Sequence, residues 1–390
     1  MTSRATPAVL ARAALRVRLL LVLALLAGLC AGAAPSRAAV PAGSGTQDPI
    51  PVLAYYYIWF QGSSWNRAKI DYPILGRYWS DDEAVMTQHV RWAKRAGIDG
   101  FIVSWKSTLP LDPRLEKLIK VAERENFKLA IIYQGLDFER RALPASRVLR
   151  DLQIFSQTFA KSPVFRIFGS KPLVIWSGTW KFTHAEVAAV ASQVRPNMLL
   201  LATEKNVAGY LRLADVVDGD AYYWSSVDPI KNANLHQDKL DEMSRVIHDH
   251  GGLWIAPAAP GYDARLLGGH IVVPRRNGQT LIKELNVAIN SGPDAIGLIS
   301  WNEFSENSHV EPSQKYGSQS LEVLATALGT HFPPDAAKVS DEAAATGGLS
   351  RAVPALIGLG ALILVGVWII VKRGRKGQSG GGGDERPHAA

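Results

Sequence analysis

The feature that most limits the fold of this chain is an eightfold alternation of short apolar runs and longer amphipathic runs, which starts at Val52. The predicted strands are Val52–Tyr57, Gly100–Ser104, Lys128–Tyr133, Lys171–Trp176, Met198–Ala202, Asp218–Tyr223, Gly252–Ala256 and Ala295–Ser300. The predicted helices are Asp82–Ala96, Pro113–Asn126, Pro144–Ala160, Thr183–Val194, Asn234–His250 and Thr280–Asn290, with one more between Ala202 and Asp218 and Ser318–Leu328 closing the series.

Continuous apolar strands that are separated by helices form parallel sheets buried on both faces. Eight such units in about 280 residues predict an α/β fold of the (β/α)₈ TIM-barrel class, for which ~250 residues are typical. The alternative is a doubly wound open sheet, but Ile58-Trp59-Phe60 follows the first strand, where such folds carry a glycine-rich phosphate loop. Ser80, directly before two aspartates, is the predicted N-cap of the first helix.

The distribution of charge argues against a nucleic-acid partner. The 390-residue chain has a formal net charge of +8. Residues 1–39 hold five arginines and no acidic residue, and residues 351–390 hold six basic and two acidic side chains, so residues 40–350 carry a charge of −1. Phosphate backbones are bound by clustered Lys and Arg on the folded surface. Cys30 is the only cysteine, which excludes an intramolecular disulfide and a cysteine-based metal site.

The two ends of the chain predict a secreted domain that stays attached to the membrane. Residues 1–39 have the order of a signal peptide, with four arginines before the apolar run Leu19–Leu29 and small residues after it. Residues 40–334 are the predicted barrel domain, and residues 335–352 are a polar stalk. Residues 353–371 are uncharged and long enough to cross a hydrocarbon core of ~30 Å. The basic residues that begin the tail 372–390 place it in the cytoplasm, which predicts a single-pass type I protein of the cell membrane with its domain outside.

Aromatic residues gather where the predicted strands end. The active site of a TIM barrel lies at the carboxyl ends of its strands, and seven of the eight predicted strands offer a ring there. A single ring at such a place is more often part of the core, but several that converge favour stacking on sugar faces. The predicted substrate-binding residues are Tyr55, Tyr57, Trp59, Trp105, Tyr133, Tyr222, Tyr223, Tyr262, Trp301 and Asn302.

Two carboxyl groups, Glu303 and Glu306, follow the eighth predicted strand directly. Paired carboxyls perform glycoside hydrolysis, because neighbouring charges and apolar walls push their pKa values apart and one can act as acid while the other acts as base or nucleophile. A solvent-exposed helix start with two acids is the alternative interpretation of the spacing alone. His248 and His250 lie two residues apart on a helix and point to different faces, so we expect no metal ligand there, and no cofactor is predicted.

The segment around the two carboxyls resembles the signature of glycoside hydrolase family 99, the endo-α-mannosidase-like enzymes, in which Asn-Glu is followed three residues later by a second Glu and then by Ile-Glu-Pro. The residues that carry the resemblance are Ser300-Trp301-Asn302-Glu303-Phe304-Ser305-Glu306 with Glu311-Pro312, Ala54-Tyr55-Tyr56-Tyr57, Arg77-Tyr78-Trp79-Ser80-Asp81, Ala96-Gly97-Ile98-Asp99-Gly100-Phe101, Val103-Ser104-Trp105 and Pro260-Gly261-Tyr262-Asp263. They cover the chain from about Val52 to Glu311 in the family's order.

The resemblance implies a cofactor-free TIM barrel that cleaves internal α-mannosidic bonds of a glycan or polysaccharide with retention. It assigns to Glu303 the removal of the proton from the sugar's own 2-hydroxyl, with a 1,2-anhydro sugar as intermediate, and to Glu306 the role of general acid/base. The family commonly places Trp-His between the two Glu, where this chain has Phe304-Ser305, and an acidic residue after the third strand, where Tyr133-Gln134 stands. A catalytically silent glycan-binding surface domain therefore remains as the alternative.

Overall fold

The computed structural model describes residues 49–334. The predicted signal peptide 1–39, stalk 335–352, membrane helix 353–371 and tail 372–390 lie outside these residues and stay predictions. Within 49–334, no helix combines the length and the apolar character that crossing a bilayer requires.

Eight parallel strands form the central sheet. Parallel bridging at Ala202 and Asp220 joins its two ends, because Ala202 N–H donates to Gly219 O at 3.0 Å and Ala221 N–H donates to Ala202 O at 2.9 Å. The sheet is thereby closed into a barrel, and the predicted (β/α)₈ architecture is confirmed. The strands are β1 Val52–Tyr57, β2 Gly100–Trp105, β3 Lys128–Gln134, β4 Leu173–Ser177, β5 Leu199–Leu201, β6 Gly219–Ala221, β7 Leu253–Ala258 and β10 Ala295–Leu298, with the antiparallel pair β8 Tyr262–Asp263 and β9 Val272–Val273 inserted after β7. Within the central sheet, the strands follow the order β5-β4-β3-β2-β1-β10-β7-β6.

A helix follows each barrel strand. The helices are α1 Glu83–Arg95, α2 Leu111–Glu125, α3 Ala145–Thr158, α4 His184–Val194, α5 Val207–Leu211, α6 Ala233–Asp249, α7 Gln279–Asn290 and α8 Gln319–Ala327. The N-cap of α1 differs from the prediction: Asp82 accepts from Ala84 N–H at 3.1 Å, whereas the Ser80 hydroxyl accepts from Phe60 N–H at 2.9 Å and holds the β1–α1 loop.

The strand side chains alternate between the inside of the barrel and the layer beneath the helices, since successive side chains of a strand point to opposite faces. On β1, Leu53 and Tyr55 belong to the inner cluster, whereas Val52, Ala54 and Tyr56 pack in the outer one. Both clusters are almost completely buried, so only side chains beyond the last inner layer reach the open mouth of the barrel.

Candidate active site

The chain leaves β10 in a compact loop, residues 300–311, that turns back on itself. Ser300 N–H donates to Ser308 O, and Val310 N–H donates to Ser300 O, both at 2.8 Å. Trp301 N–H donates to Tyr55 O at 2.8 Å and thereby attaches the loop to β1. Both carboxyl groups therefore project from a single loop that is anchored at its base to β1.

Glu303 lies within this loop with only 7% of its surface exposed. Its carboxyl group accepts hydrogen bonds from the Ser305 N–H, at 3.0 Å, and from the Ser305 hydroxyl. Burial and the charge of Glu306 raise the pKa of Glu303 to about 7, and the hydrogen bonds of Ser305 and the charge of Lys69 oppose the rise only in part. Ser305, where the family 99 pattern has His, thus supplies a hydrogen-bond partner to the first carboxyl.

Glu306 comes next along the same loop, and its backbone oxygen accepts from Asp263 N–H at 2.8 Å. Burial raises the pKa of Glu306, while the nearby charge of Arg140 acts in the opposite direction. The charge of Glu306 raises the pKa of Glu303, so the two carboxyls titrate as a pair, and such a pair retains one proton at pH values where isolated carboxyls are ionised. The loop therefore presents both an acid and a base.

Three of the predicted aromatic residues lie near the pair, and a fourth packs against one of them. The hydroxyls of Tyr57 and Tyr223, from β1 and from the residues that follow β6, share a hydrogen bond. Burial, together with the charges of Glu303 and Glu306, raises the pKa of both phenols, which places both rings within electrostatic reach of the carboxyls. Tyr262 joins them, since burial and the charge of Glu306 raise its pKa to about 12. Trp59 is 40% exposed and its ring lies 4.4 Å from that of Tyr57.

The prediction that Trp105, Tyr133, Tyr222 and Trp301 contact substrate is wrong, because these side chains lie in the outer cluster beneath the helices. All four are buried, and three of them have hydrogen-bond partners on the helices. Trp105 Nε1–H donates to Asp112 at 2.9 Å, the Tyr133 hydroxyl donates to Asp151 at 3.1 Å, and the Tyr222 hydroxyl accepts from Lys239 at 2.8 Å. In each of these strands, the neighbouring residue faces inward instead.

Tyr55 and Asn302 are buried within the wall of the barrel, so their predicted contact with substrate is also contradicted. The Tyr55 ring fills the inner cluster one layer beneath Tyr57 and lies edge-on to Tyr223 at 4.7 Å. Asn302 accepts from Tyr57 N–H at 2.8 Å and donates to Tyr57 O at 3.0 Å. Its amide therefore sets the position of Tyr57 at the mouth.

A buried network continues from Asn302 to the end of the loop. Asn302 donates to the Tyr78 hydroxyl at 3.2 Å, and that hydroxyl donates to Glu311 at 2.8 Å. His89, on α1, lies 3.0 Å from the other oxygen of Glu311. The Glu-Pro part of the motif thus supports the loop from behind, whereas Glu303 and Glu306 face the mouth.

Sequence reasoning missed four polar residues at this end of the barrel. Ser104 and Gln134 are the inward neighbours of Trp105 and Tyr133, and the Gln134 amide donates to the Ser104 hydroxyl at 3.0 Å. Lys69 and Arg140 come from the loops after β1 and β3, and their charges act on Glu303 and Glu306, respectively. The alternation of strand faces was the available signal for the first two, but no local pattern points to the loop cations.

Among residues 49–334, no three His, Cys, Asp or Glu side chains gather closely enough to hold a metal ion.

Comparison with known proteins gives one family and one fold. Residues 74–325 match the family model described as glycosyl hydrolase family 71. The fold is similar to that of the GH99 endo-alpha-mannosidase from Bacteroides thetaiotaomicron, with a TM-score of 0.61 and 18% identity over 71% of this chain and 95% of the other. Its complex with bis-tris-propane gives a TM-score of 0.63 and 20% identity over 72% and 96%.

A structure described as a glycoside hydrolase-like protein gives a TM-score of 0.54 and 14% identity over 73% of this chain and 95% of its own. No curated protein matches the sequence.

Proposed function

Because the chain belongs to glycosyl hydrolase family 71 and is a glycoside hydrolase, we propose that it cleaves internal bonds of α-linked glycans with Glu303 and Glu306 as its catalytic residues. The preferred linkage in this proposal is α-mannosidic, as the resemblance of the 300–312 segment to family 99 implies. Family membership by sequence is with family 71, and the likeness to the family 99 enzyme is one of fold.

The observation that carries the proposal is the coupling of the two carboxyls within one loop at the barrel mouth. The charge of Glu306 contributes to the pKa of about 7 of Glu303, and three tyrosine rings border the pair. A catalytically silent domain would need the rings but not two coupled acids, so this arrangement favours turnover over binding alone.

The proposed mechanism uses the singly protonated pair. Glu303, as carboxylate, takes the proton of the sugar 2-hydroxyl, and that oxygen attacks the anomeric carbon. Glu306, as carboxylic acid, gives its proton to the departing glycosidic oxygen, and a 1,2-anhydro sugar results. Water then attacks the anomeric carbon, Glu306 takes a proton from this water, and Glu303 returns its proton to the 2-oxygen. Two inversions at one carbon give net retention.

The charges around the pair favour the opposite placement of its one proton. Arg140 stabilises the ionised form of Glu306, whereas the charge of Glu306 disfavours ionisation of Glu303. In the free protein, this favours the proton on Glu303, which is the microstate opposite to the one the mechanism uses. The two microstates of a coupled pair exchange without change of net charge, so the roles are decided by kinetics and not by the resting proton.

Leaving-group dependence separates the two roles. On a natural polysaccharide, Glu306→Gln should lose at least ~10²-fold in rate, because the leaving oxygen is poor and needs protonation. On an aryl glycoside, whose leaving group is stable as an anion, Glu306→Gln should recover much of the first step, as measured by single-turnover release of the phenol. Glu303→Gln should recover on neither substrate, and a substrate without the 2-hydroxyl should be inert with the parent protein.

A reversed pattern, with Glu303→Gln recovering on the aryl glycoside, would exchange the roles of the two residues. Equal losses for both variants on both substrates would contradict the mechanism. Glycan binding by the parent protein with no turnover would support the silent alternative.

We also propose that the barrel domain acts outside the cell while attached to the membrane. This part rests on residues 1–39, 353–371 and 372–390, whose order of arginines, apolar runs and basic flank is that of a type I protein.

A further inference from the structure

Among the cations at the barrel mouth, Lys106 after β2, Arg140 after β3 and Lys205 after β5 have no carboxylate within ion-pair distance among residues 49–334. We call these three residues the cationic rim. Arg140 and Lys205 are exposed and Lys106 is half-buried. They stand on the loops of three barrel strands, on the face where Glu303 and Glu306 lie.

The neighbouring carboxylates in the sequence are already engaged by other cations. Asp137 and Glu139 both pair with Arg141, at 2.8 and 3.0 Å, and neither forms an ion pair with Arg140. Glu204 directly precedes Lys205 but pairs with Arg212 at 3.1 Å. Acids next to a surface cation usually neutralise it, so their engagement elsewhere leaves positive charge facing the mouth.

Arg140 is coupled to the catalytic pair. Its backbone is left-handed, with φ of 62°, a conformation that is uncommon for residues other than glycine and that concentrates at functional sites. Its charge counteracts the rise in the pKa of both Glu306 and Tyr262. An exposed guanidinium within electrostatic reach of the general acid is placed to bind an anion on the sugar that enters the site.

Lys205 combines a charge with stacking surfaces. Its ammonium lies 4.7 Å from the ring centroid of Trp180 and 5.9 Å from that of Trp224. Trp224 is 39% exposed and directly follows Tyr223 of the site. Exposed indole faces suit the apolar face of a sugar, and a cation held between them suits an acidic substituent on that sugar.

Lys106 repeats this arrangement across the mouth. Its ammonium lies 5.5 Å from the ring centroid of Phe138, which is 98% exposed in the loop that also carries Arg140. The face of an exposed phenyl ring beside a cation is accessible to the apolar face of a sugar. Two separate places at the mouth thus pair an exposed ring with an unpaired cation.

We propose that the substrate glycan carries acidic groups, as carboxylate or phosphate, and that the cationic rim of Lys106, Arg140 and Lys205 binds them. The inference rests on the proposed function and narrows its substrate to an anionic α-glycan. The net charge of −1 over residues 40–350 conceals this specificity, because acids elsewhere on the domain balance the rim.

The test uses three matched polymers: a neutral α-mannan, the same mannan oxidised at C6 to the carboxylate, and the same mannan phosphorylated at C6. Binding is measured with the Glu303→Gln protein, so that the result does not depend on turnover. At low salt, we expect at least about tenfold tighter binding of one or both acidic polymers, and the preference should shrink at ~1 M salt, where the Debye length is about 3 Å. The polymer bound more tightly identifies carboxylate or phosphate as the natural group.

Variants then locate the preference. Arg140→Met and Lys205→Met, in the Glu303→Gln protein, should each reduce the ratio of acidic to neutral affinity by about tenfold, as expected for one lost charge-assisted contact. Lys205→Arg should retain most of it. The matched control is Lys161→Met, which removes the same charge from an exposed residue beyond the end of α3, at the opposite end of the barrel, and should not change the ratio.

Equal affinity for neutral and acidic polymers, or no binding to any of the three, would overturn the inference. An effect of Lys161→Met as large as that of Arg140→Met would also overturn it, since total charge and not the rim would then be responsible. Cleavage of neutral mannan without an acidic preference would leave the proposed function standing and this inference wrong. A preference for acidic polymers without cleavage by the parent protein would leave this inference standing and contradict the proposed function.

Discussion

Glu303 is held in surroundings that oppose its ionisation. The residue is 7% exposed and lies beside a second carboxyl, and the hydrogen bonds of Ser305 and the charge of Lys69 offset the rise in its pKa only in part. A group whose pKa is raised on folding binds its proton more tightly in the folded than in the unfolded state. The surroundings of Glu303 therefore make the domain less stable as the pH rises from about 4.5 through 7.

Replacement of Glu303 should consequently stabilise the protein in a pH-dependent way. The pKa of Glu303 is about 7 in the folded protein against an ordinary value of 4.5, so stability is fully present below about pH 4.5 and is lost as the pH rises through 7. Glu303→Gln does not titrate, and its gain in unfolding free energy over the parent should grow by about 2–3 kcal/mol between pH 5 and pH 8. Denaturant unfolding at a series of pH values measures the difference.

The control for this prediction is Glu116→Gln, on the exposed face of α2. Glu116 pairs with Lys120 at 2.7 Å, and this partner lowers its pKa, which is the opposite direction. The variant should show no gain that increases with pH. A constant offset for Glu303→Gln across the pH range would show that the carboxyl does not have a raised pKa.

At the scale of single elements, the alternation along each strand decides which aromatic ring meets substrate. Trp105, Tyr133 and Trp176 are neighbours in the registers of β2–β3 and β3–β4, so all three point to the same face. That face lies beneath the helices. Tyr57 pairs in register with Ser104, and these two face the inside of the barrel.

Trp105 should therefore behave as a core residue and Tyr223 as a binding residue. Trp105→Ala should lower the free energy of unfolding by about 3–5 kcal/mol, as is usual for a buried tryptophan, and Trp105→Phe should leave glycan affinity nearly unchanged. Tyr223→Ala should weaken glycan binding by roughly 1–3 kcal/mol and destabilise the fold less, because its ring is partly exposed and its hydroxyl faces the site. Unfolding curves and binding isotherms on the same samples test both. Weaker binding by a folded Trp105→Phe protein would contradict the outer placement.

For the whole molecule, closure of the barrel and the positions of the charged residues shape the site more than the net charge does. The loop of residues 300–311 is attached to β1 at one side and to the β7–α7 region at the other, through the Asp263 N–H. Arg275, in that region, donates to His309 O at 2.7 Å. Contacts between distant parts of the chain thus hold the two carboxyls in place. Charge likewise separates into basic ends and a nearly neutral domain.

The predicted topology has a direct test. External protease added to intact cells should remove the barrel domain and leave a small stub in the membrane, because residues 353–371 are expected to span the bilayer with the basic tail inside. Immunodetection of a tag at each side of 353–371 measures the outcome, and a cytoplasmic marker protein controls for cell lysis. Full protection of the domain in intact cells would contradict this orientation.

Local pattern in the sequence determined the eight strand–helix units, their order and the segment that carries Glu303 and Glu306. Apolar runs, helix periodicity and a short motif are properties of neighbouring residues, and the bounds of β1 agree residue for residue with the prediction. The aromatic rings were predicted to bind substrate because they lie at strand ends. This prediction did not consider whether the strand points each side chain into the barrel or toward the helices. Four rings and Asn302 were consequently assigned to substrate although they are buried in the wall, and Tyr55 lies one layer too deep.

Only the tertiary structure decided which charges act on the site. Arg140 is 166 residues from Glu306 along the chain, and Asp137, Glu139 and Arg141 beside it give no indication of which cation stays unpaired. The pKa of Glu303 likewise depends on burial and on neighbours that closure of the barrel brings together. Electrostatic and desolvation energies are set by distances in space, and a sequence records only distances along the chain.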